Sequence, residues 1–299
     1  MITLHVPARP TGAATCIAAL LAGMVLCPAR ASAQAPTPPR FEQEAAKQES
    51  IYRSQGAKIP GGYITARGLS GYSQLLPSGF EAALKALGPA DRWLDVGAGS
   101  GQAILDYYAP EYGRAQDKKR ARAGKAHAVA LSIEDRRTEA WHERAAAVEA
   151  GRIRYLFGRR LRDYAIGELG KFRMITDVYG GLSYTDDLSQ FVERVLGLLE
   201  TNGSFYSLLQ SVRLEDGKDN PRTWYLTEIM DAAGRDVKVC PWLKRITCVK
   251  VSCESKSDWP TPTELIQVRK VCDAVSVPAL TRLQYEAGTP PGRRFQLKD

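Results

Sequence analysis

The stretch from Trp93 to Ala103, with the sequence WLDVGAGSGQA, constrains the fold of this chain more than any other segment. An apolar run containing Asp95 leads into three alternating glycines, Gly97, Gly99 and Gly101, and a helical pattern follows. This order predicts a strand, a tight turn and a helix N-terminus with unsatisfied N–H groups. Such a turn suits the polar end of a nucleotide-like ligand. The alternative is a glycine-rich turn that binds nothing.

The spacing of the glycines separates two kinds of nucleotide-binding turn. The dinucleotide pattern Gly-x-Gly-x-x-Gly fails, because Gln102 stands where its third glycine would be. The pattern that remains, Asp-x-Gly-x-Gly-x-Gly, resembles motif I of the class I S-adenosylmethionine-dependent methyltransferases. The resemblance implies that the methionine part of the cofactor S-adenosylmethionine lies against the turn. It implies a cofactor-binding set in this segment: Asp95, Gly97, Ala98, Gly99 and Gly101.

Strands and helical segments alternate between Arg92 and Leu209. The predicted strands are Arg92–Val96, His127–Ile133, Ile153–Phe157, Phe172–Thr176 and Ser204–Leu209. The predicted helices are 41–53, 80–87, 102–108, 136–151 and 188–200. This alternation indicates an α/β fold, with a parallel sheet covered by helices on both faces. The resemblance covers residues 80–210 and implies a Rossmann-like, doubly wound sheet that ends in an antiparallel strand pair.

The segments on either side of this region are less regular. Residues 34–77 are predicted to form a leader, a helix and then a loop that either covers a ligand or lies on the surface. Beyond Gln210 the pattern predicts helices at 224–233 and 263–272, and strands at 237–240, 246–253, 277–285 and 294–297. Because the antiparallel pair belongs to the same sheet, residues 78–299 are assigned to one domain.

The resemblance also implies positions for the rest of the site, and this sequence departs from the family pattern at several of them. Ser132 stands where an acidic residue normally binds the ribose hydroxyls, and Glu134 is the nearest substitute. Arg159 stands where the family has a residue beside the adenine. Asp177 ends the fourth strand, where open α/β sheets bind ligands, and is either a catalytic base or a turn carboxylate. Tyr184, or Tyr72 from the N-terminal segment, would orient the acceptor.

Residues 1–33 have the composition of a secretory signal peptide. Arg9 precedes an apolar run that ends before Pro28, and an Ala-Ser-Ala tripeptide ends at Ala33. The run is too short for a membrane anchor. We therefore expect cleavage after Ala33 and a mature protein that works outside the cytoplasm, in the periplasm or as a secreted protein. An uncleaved N-terminal anchor is the alternative.

Four cysteines remain after this cleavage, at positions 240, 248, 253 and 272. An even number in an oxidising compartment indicates two disulfides, and free buried thiols are the alternative. Cys248 and Cys253 lie on one predicted strand, so their Cα atoms would be about 16 Å apart, beyond the reach of a disulfide. The other pairings stay open. No metal site is predicted, because the segment holds no Cys-x-x-Cys pair and no histidine.

The sequence leaves two functions open. The first is methyl transfer from S-adenosylmethionine to an unknown small-molecule or envelope acceptor. The second is a methyltransferase-like binding or envelope interaction protein that has lost the reaction, since the sulfonium donor is made in the cytoplasm. The formal net charge falls from +8 to +6 when Arg9 and Arg30 leave with the signal peptide, which gives no reason to expect specific nucleic-acid binding. The oligomeric state stays open.

Overall fold

The computed structural model describes residues 66–109, 124–214, 222–225, 227–257, 259, 263–286 and 292–298. All of them belong to one unit, Pro38–Asp299. The predicted signal peptide, the leader and the helix at 41–53 lie outside the described residues. No helix within the described ranges is long and apolar enough to span a membrane.

The first part of the chain follows the predicted alternation from residue 92 onward, but its residues 69–75, in the segment predicted as a loop, form a helix that buries Leu69 and Tyr72. Its helices are α1 (Leu69–Leu75), α2 (Phe80–Lys85), α3 (Gln102–Tyr108), α4 (Glu139–Ala146), α5 (Ile166–Leu169), α6 (Gly181–Tyr184) and α7 (Leu188–Leu198). Its strands are β1 (Arg92–Val96), β2 (His127–Leu131), β3 (Ile153–Leu156), β4 (Phe172–Asp177) and β5 (Leu199–Leu214). Helix α4 is shorter than predicted, because the Thr138 side chain accepts the Trp141 N–H and caps the helix there.

The main sheet has the strand order β3-β2-β1-β4-β5-β9-β8, where β8 is Val249–Lys256 and β9 is Thr263–Lys270. Strands β1 to β5 are parallel, and β9 and β8 are antiparallel at the edge. A short strand, β6 (Arg222–Tyr225), pairs with the far end of β5. The Rossmann-like, doubly wound fold with a C-terminal antiparallel pair is therefore confirmed. Because the chain leaves β1 for β2 on one side and later returns to β4 on the other, the carboxyl end of β1 lies at the switch point of the sheet.

Apolar side chains cover both faces of this sheet. On one face, residues of α1, α2 and α3, among them Phe80 and Ile104, pack against Trp93 of β1. On the other, Val195 and Leu196 of α7 pack against Ile175 of β4. Both layers are fully buried, as a central parallel sheet requires. They hold β1 and β4 side by side, which fixes the two strand ends that carry the site.

The C-terminal third corrects several predictions. Residues 263–272, predicted as a helix, contain strand β9. Residues 224–233, also predicted as a helix, contain the end of β6 and all of β7 (Thr227–Met230). The segment predicted as a strand at 237–240 instead leads into a short helix, α8 (Val239–Leu243). The physical reason for the first correction is pairing: β9 exchanges hydrogen bonds with β5 and with β8, and these long-range contacts outweigh a local helical pattern.

A second sheet accompanies the main one. It has three strands in the order β10-β11-β7, where β10 is Leu280–Glu286 and β11 is Gly292–Leu297, so the two late strands of the prediction are present but lie outside the main sheet. Disulfides join Cys240 to Cys253 and Cys248 to Cys272, with Cα–Cα distances of 6.5 Å and 5.0 Å. The prediction that Cys248 and Cys253 do not pair with each other is confirmed.

Candidate ligand site at the glycine turn

The glycine turn lies at the carboxyl end of β1, and three of its residues need glycine. The φ angles of Gly97, Gly99 and Gly101 are 76°, 55° and 74°, in the left-handed region that other residues avoid. At Gly97, a Cβ atom would also lie 2.6 Å from the Cα of Gly180, just beyond β4. Two backbone segments therefore meet without side chains between them at the switch point. Gly97 itself is exposed at this point.

The turn has hydrogen-bond donors to offer a ligand. The N–H groups of Gly97 and Ala98 both donate to the carbonyl of Leu131, at 2.9 Å and 3.0 Å, and the Gly101 N–H donates to the Ala98 carbonyl at 2.8 Å. Within the described part of the chain, no acceptor is recorded for the N–H of Gly99 or of Ser100. Successive N–H groups of this kind form a concave site for a negatively polarised group.

Asp95 lies beneath the turn and does not face open space. Its carboxylate is fully buried and accepts hydrogen bonds from the Tyr72 hydroxyl at 2.9 Å and 3.0 Å, and from the Thr176 hydroxyl at 2.7 Å. Thr176 in turn accepts the Trp93 indole N–H at 2.8 Å. Burial raises the pKa of Asp95 to about 7, although both hydroxyl groups favour the ionised form. Asp95 therefore joins α1, β1 and β4 under the turn.

This buried carboxyl predicts a pH-dependent stability difference between the wild type and Asp95→Asn. An unfolded aspartate has a pKa of about 4, so the folded state holds the Asp95 proton to a higher pH than the unfolded state does. Its contribution to stability is therefore present at pH 4 and is lost as the pH rises through about 7. We expect Asp95→Asn to gain stability relative to the wild type over this range, by at most about 1.4 kcal/mol per pH unit.

The measurement is urea unfolding of both proteins at closely spaced pH values. Exposed carboxylates shared by the two proteins cancel in the difference. If the free energies of unfolding of the two proteins changed with pH in parallel, the assignment of a raised pKa to Asp95 would be contradicted.

Asp177 is enclosed at the end of β4. It is fully buried, and its two carboxylate oxygens accept the N–H groups of Gly180 and Leu182, each at 2.9 Å. Burial raises the pKa of Asp177 to about 7, and these backbone hydrogen bonds partly oppose the rise. Asp177 thus holds the turn that starts α6. Tyr184, at the end of that helix, is 41% exposed.

The three other predicted cofactor residues lie near the ends of β2 and β3, but not in one cluster. Ser132 is buried just after β2, and its N–H donates to the carbonyl of Leu156 at 2.9 Å. Glu134 is half-buried and forms an ion pair with Arg136, with an N–O distance of 2.5 Å. Arg159 is exposed and pairs with Glu168 at 2.6 Å. In this arrangement both charged side chains are engaged in ion pairs.

Sequence reasoning missed other residues at the same edge of the sheet. Ile133 and Phe157 follow β2 and β3, and they are large apolar side chains that remain 43% and 46% exposed. Their strand ends are adjacent, because the Gly158 N–H donates to the Ile133 carbonyl at 2.9 Å. The available signal was the apolar residue, Ile133 or Phe157, that ends each of the two predicted strands. Together they present an apolar surface beside the turn.

A positively charged side chain, that of Arg67, lies close to the carboxyl end of β4. The guanidinium carbon of Arg67 lies 4.9 Å above the ring of Tyr179, which follows β4 and has a φ angle of 57°. No carboxylate partner of Arg67 is recorded among the described residues. The edge of the sheet therefore offers turn N–H groups, an apolar surface and a positive charge, and this combination fits a ligand with an aromatic base at one end and an anionic group at the other.

Comparison with known proteins gives only distant similarity. No family model and no curated protein matches the sequence. Among solved structures, phosphoethanolamine N-methyltransferase 2 of Haemonchus contortus, in complex with S-adenosyl-L-methionine, is 10% identical over 75% of this chain and 60% of that chain, with a TM-score of 0.44. The O-methyltransferase TomG of Streptomyces achromogenes is 15% identical over 79% and 92%, with a TM-score of 0.39. At this distance, function has to be argued from the site itself.

Proposed function

We propose that this chain is an S-adenosylmethionine-dependent methyltransferase that acts outside the cytoplasm on a small-molecule or envelope acceptor. The observation that carries the proposal is the glycine turn at the switch point of the sheet. There Gly99 and Ser100 have N–H groups without an acceptor in the described residues, and Gly97 meets the backbone at Gly180. A side chain at Gly97 would push these two backbone segments apart and so displace the turn that carries the two N–H groups.

The residues at this edge match the chemical groups of the cofactor. The N–H groups of Gly99 and Ser100, together with the guanidinium of Arg67, suit the carboxylate of its methionine part. Ile133 and Phe157 offer apolar surface to the adenine. Ser132 and Glu134 remain the candidates for the ribose hydroxyls, and Glu134 would have to leave Arg136 to reach them. Arg159 would similarly have to leave Glu168 to contact the base.

When bound, S-adenosylmethionine supplies an electrophilic methyl group, so the chain's own residues mainly bind, orient and exclude water. Asp177 has both oxygens committed to backbone N–H groups, so a role as general base would require the turn before α6 to open. Tyr184, at the end of α6, has part of its side chain exposed beside this turn. An acceptor that arrives deprotonated needs no base from the protein.

Export is proposed from the sequence of residues 1–33 and is supported by the two disulfides, which persist in oxidising compartments. The second candidate function, a binding protein without the reaction, is favoured by the ion pairs of Glu134 with Arg136 and of Arg159 with Glu168. Both interactions occupy groups that the cofactor would otherwise use.

The experiment that tests the proposal is calorimetric titration of the oxidised protein with S-adenosylmethionine and S-adenosylhomocysteine. We expect micromolar binding of both. The binding should be lost in Asp95→Ala, because removing this carboxylate leaves the buried hydroxyls of Tyr72 and Thr176 without an acceptor beneath the turn.

Asp231→Ala is the matched control, since Asp231 pairs with Arg235 in a distant surface turn. Failure of the folded wild type to bind either compound would overturn the methyltransferase proposal. Binding without methyl transfer to any acceptor from a small-molecule or envelope fraction would favour the second candidate.

A further inference from the structure

The hydroxyl group of Tyr155, a residue of β3, connects three segments of the candidate site. It donates a hydrogen bond to the carbonyl of Gly99 in the glycine turn, and it accepts the N–H of Arg136 at 3.2 Å. One hydroxyl group thus ties the glycine turn to the segment after β2.

The ring that carries this hydroxyl is held on several sides. It packs edge-on against Trp141 with the ring centroids 5.5 Å apart, and the guanidinium carbon of Arg137 lies 5.1 Å from its centroid. Arg137 is itself fixed by two hydrogen bonds to Asp135, at 2.8 Å and 2.7 Å. The ring therefore has little freedom to move the hydroxyl away from Gly99.

The same two rings also support the turn directly. A Cβ atom at Gly101 would lie 2.8 Å from the Trp141 indole nitrogen and 3.6 Å from the Tyr155 ring. Trp141 and Tyr155 thus pack against the inner side of the turn. A ligand that approaches the turn has to come from its other side.

The hydrogen bond from Tyr155 to the Gly99 carbonyl also fixes the orientation of the peptide bond between Gly99 and Ser100. A trans peptide is planar, and its C=O and N–H point in opposite directions. Since the Gly99 carbonyl points to Tyr155, the Ser100 N–H points away from it, to the side from which a ligand approaches. This N–H is one of the two turn donors without a recorded acceptor in the described residues.

We infer that Tyr155 is a positioning residue for the cofactor turn: its hydroxyl orients the Ser100 N–H toward the methionine part of the cofactor. The inference rests on the proposed function. It predicts that losing the hydroxyl weakens binding of the amino-acid part of the ligand and leaves binding of the nucleoside part unchanged. A general loosening of the site would weaken both parts together.

The test is Tyr155→Phe, titrated with two ligands. S-adenosylhomocysteine carries the amino-acid part, whereas 5′-methylthioadenosine keeps the nucleoside and the sulfur but lacks it. We expect the affinity for S-adenosylhomocysteine to fall about tenfold, the effect of one hydrogen bond to a charged group. The affinity for 5′-methylthioadenosine should stay within about twofold of the wild-type value, a change well below that of one hydrogen bond.

Tyr108→Phe is the matched control. Its hydroxyl contacts the carbonyls of Ala126 and Arg152 at the opposite ends of β2 and β3. It should therefore lower stability without changing either affinity. Thermal unfolding of each variant checks that the fold is retained.

The outcomes separate the two proposals. If the wild type binds neither ligand, the proposed function fails. If the wild type binds both and Tyr155→Phe binds both as tightly, or loses both affinities by the same factor, the positioning role of Tyr155 is overturned while the proposed function stands. If Tyr155→Phe loses affinity for S-adenosylhomocysteine alone, the role is supported.

Discussion

Replacing Gly97 with alanine is expected to destabilise the protein by about 2–5 kcal/mol and to abolish cofactor binding. Two costs add. A left-handed backbone costs an alanine about 1–2 kcal/mol, and the φ angle of Gly97 is 76°. The new Cβ would also lie 2.6 Å from the Cα of Gly180. Overpacking a rigid contact costs about 1–3 kcal/mol more.

The overlap between the new Cβ and Gly180 is hard to relieve. The Gly180 backbone is held in place by the hydrogen bond that its N–H donates to the Asp177 carboxylate. Moving it would disturb the turn that starts α6. Relief by shifting the glycine turn would instead misplace the N–H groups of Gly99 and Ser100, so either adjustment damages the site.

Gly158→Ala separates the two costs. Gly158 has a φ angle of 84°, and nothing lies within 4 Å of a Cβ built there. This control carries the backbone cost alone, so we expect it to lose about 1–2 kcal/mol. Both variants are measured by urea unfolding and by titration with S-adenosylhomocysteine. Equal losses of stability in the two variants would show that Gly97 and Gly180 are not in close contact.

The sequence was sufficient to predict the first five strands and the glycine turn. In that region apolar runs alternate with helical patterns, and the turn is local, so no distant contact was needed to recognise either. The prediction of secondary structure failed in the C-terminal third for the opposite reason. Residues 263–270 are a strand because β5 and β8 pair with them on both sides, and nothing within the segment reports those partners. Local patterns leave such strands undetermined.

The site shows the same division. Asp95 and the glycines could be identified from one contiguous pattern. The partners of Asp95, Tyr72 and Thr176, are 23 and 81 residues away, and the Tyr155 hydroxyl that contacts Gly99 is 56 residues away. Such contacts arise from the strand order of the fold. The pattern therefore located the turn but could not show whether Asp95 faces a ligand or supports the turn from beneath.

Breaking the two disulfides is expected to lower the free energy of unfolding by about 3 kcal/mol for each bond. They close segments of 13 and 24 residues, and both involve β8 or the residue before it at the edge of the main sheet. Strand β8 pairs only with β9 among the described strands. Without the bonds, β8 is held by its backbone hydrogen bonds to β9 and by the packing of Val249 and Val251 against the core. The double variants Cys240→Ala/Cys253→Ala and Cys248→Ala/Cys272→Ala separate the two contributions in urea unfolding.

The cofactor affinity should respond differently from the stability. The glycine turn follows β1, and three strands, β4, β5 and β9, separate β1 from the disulfide-bearing edge. We therefore expect each disulfide variant, while folded, to bind S-adenosylhomocysteine within about twofold of the wild type, since local losses at an edge need not reach a distant element. A loss of affinity that tracks the loss of stability would contradict this and would mean that the edge and the turn unfold as one cooperative unit. In that case, reduction outside an oxidising compartment would remove the cofactor site along with the edge strand.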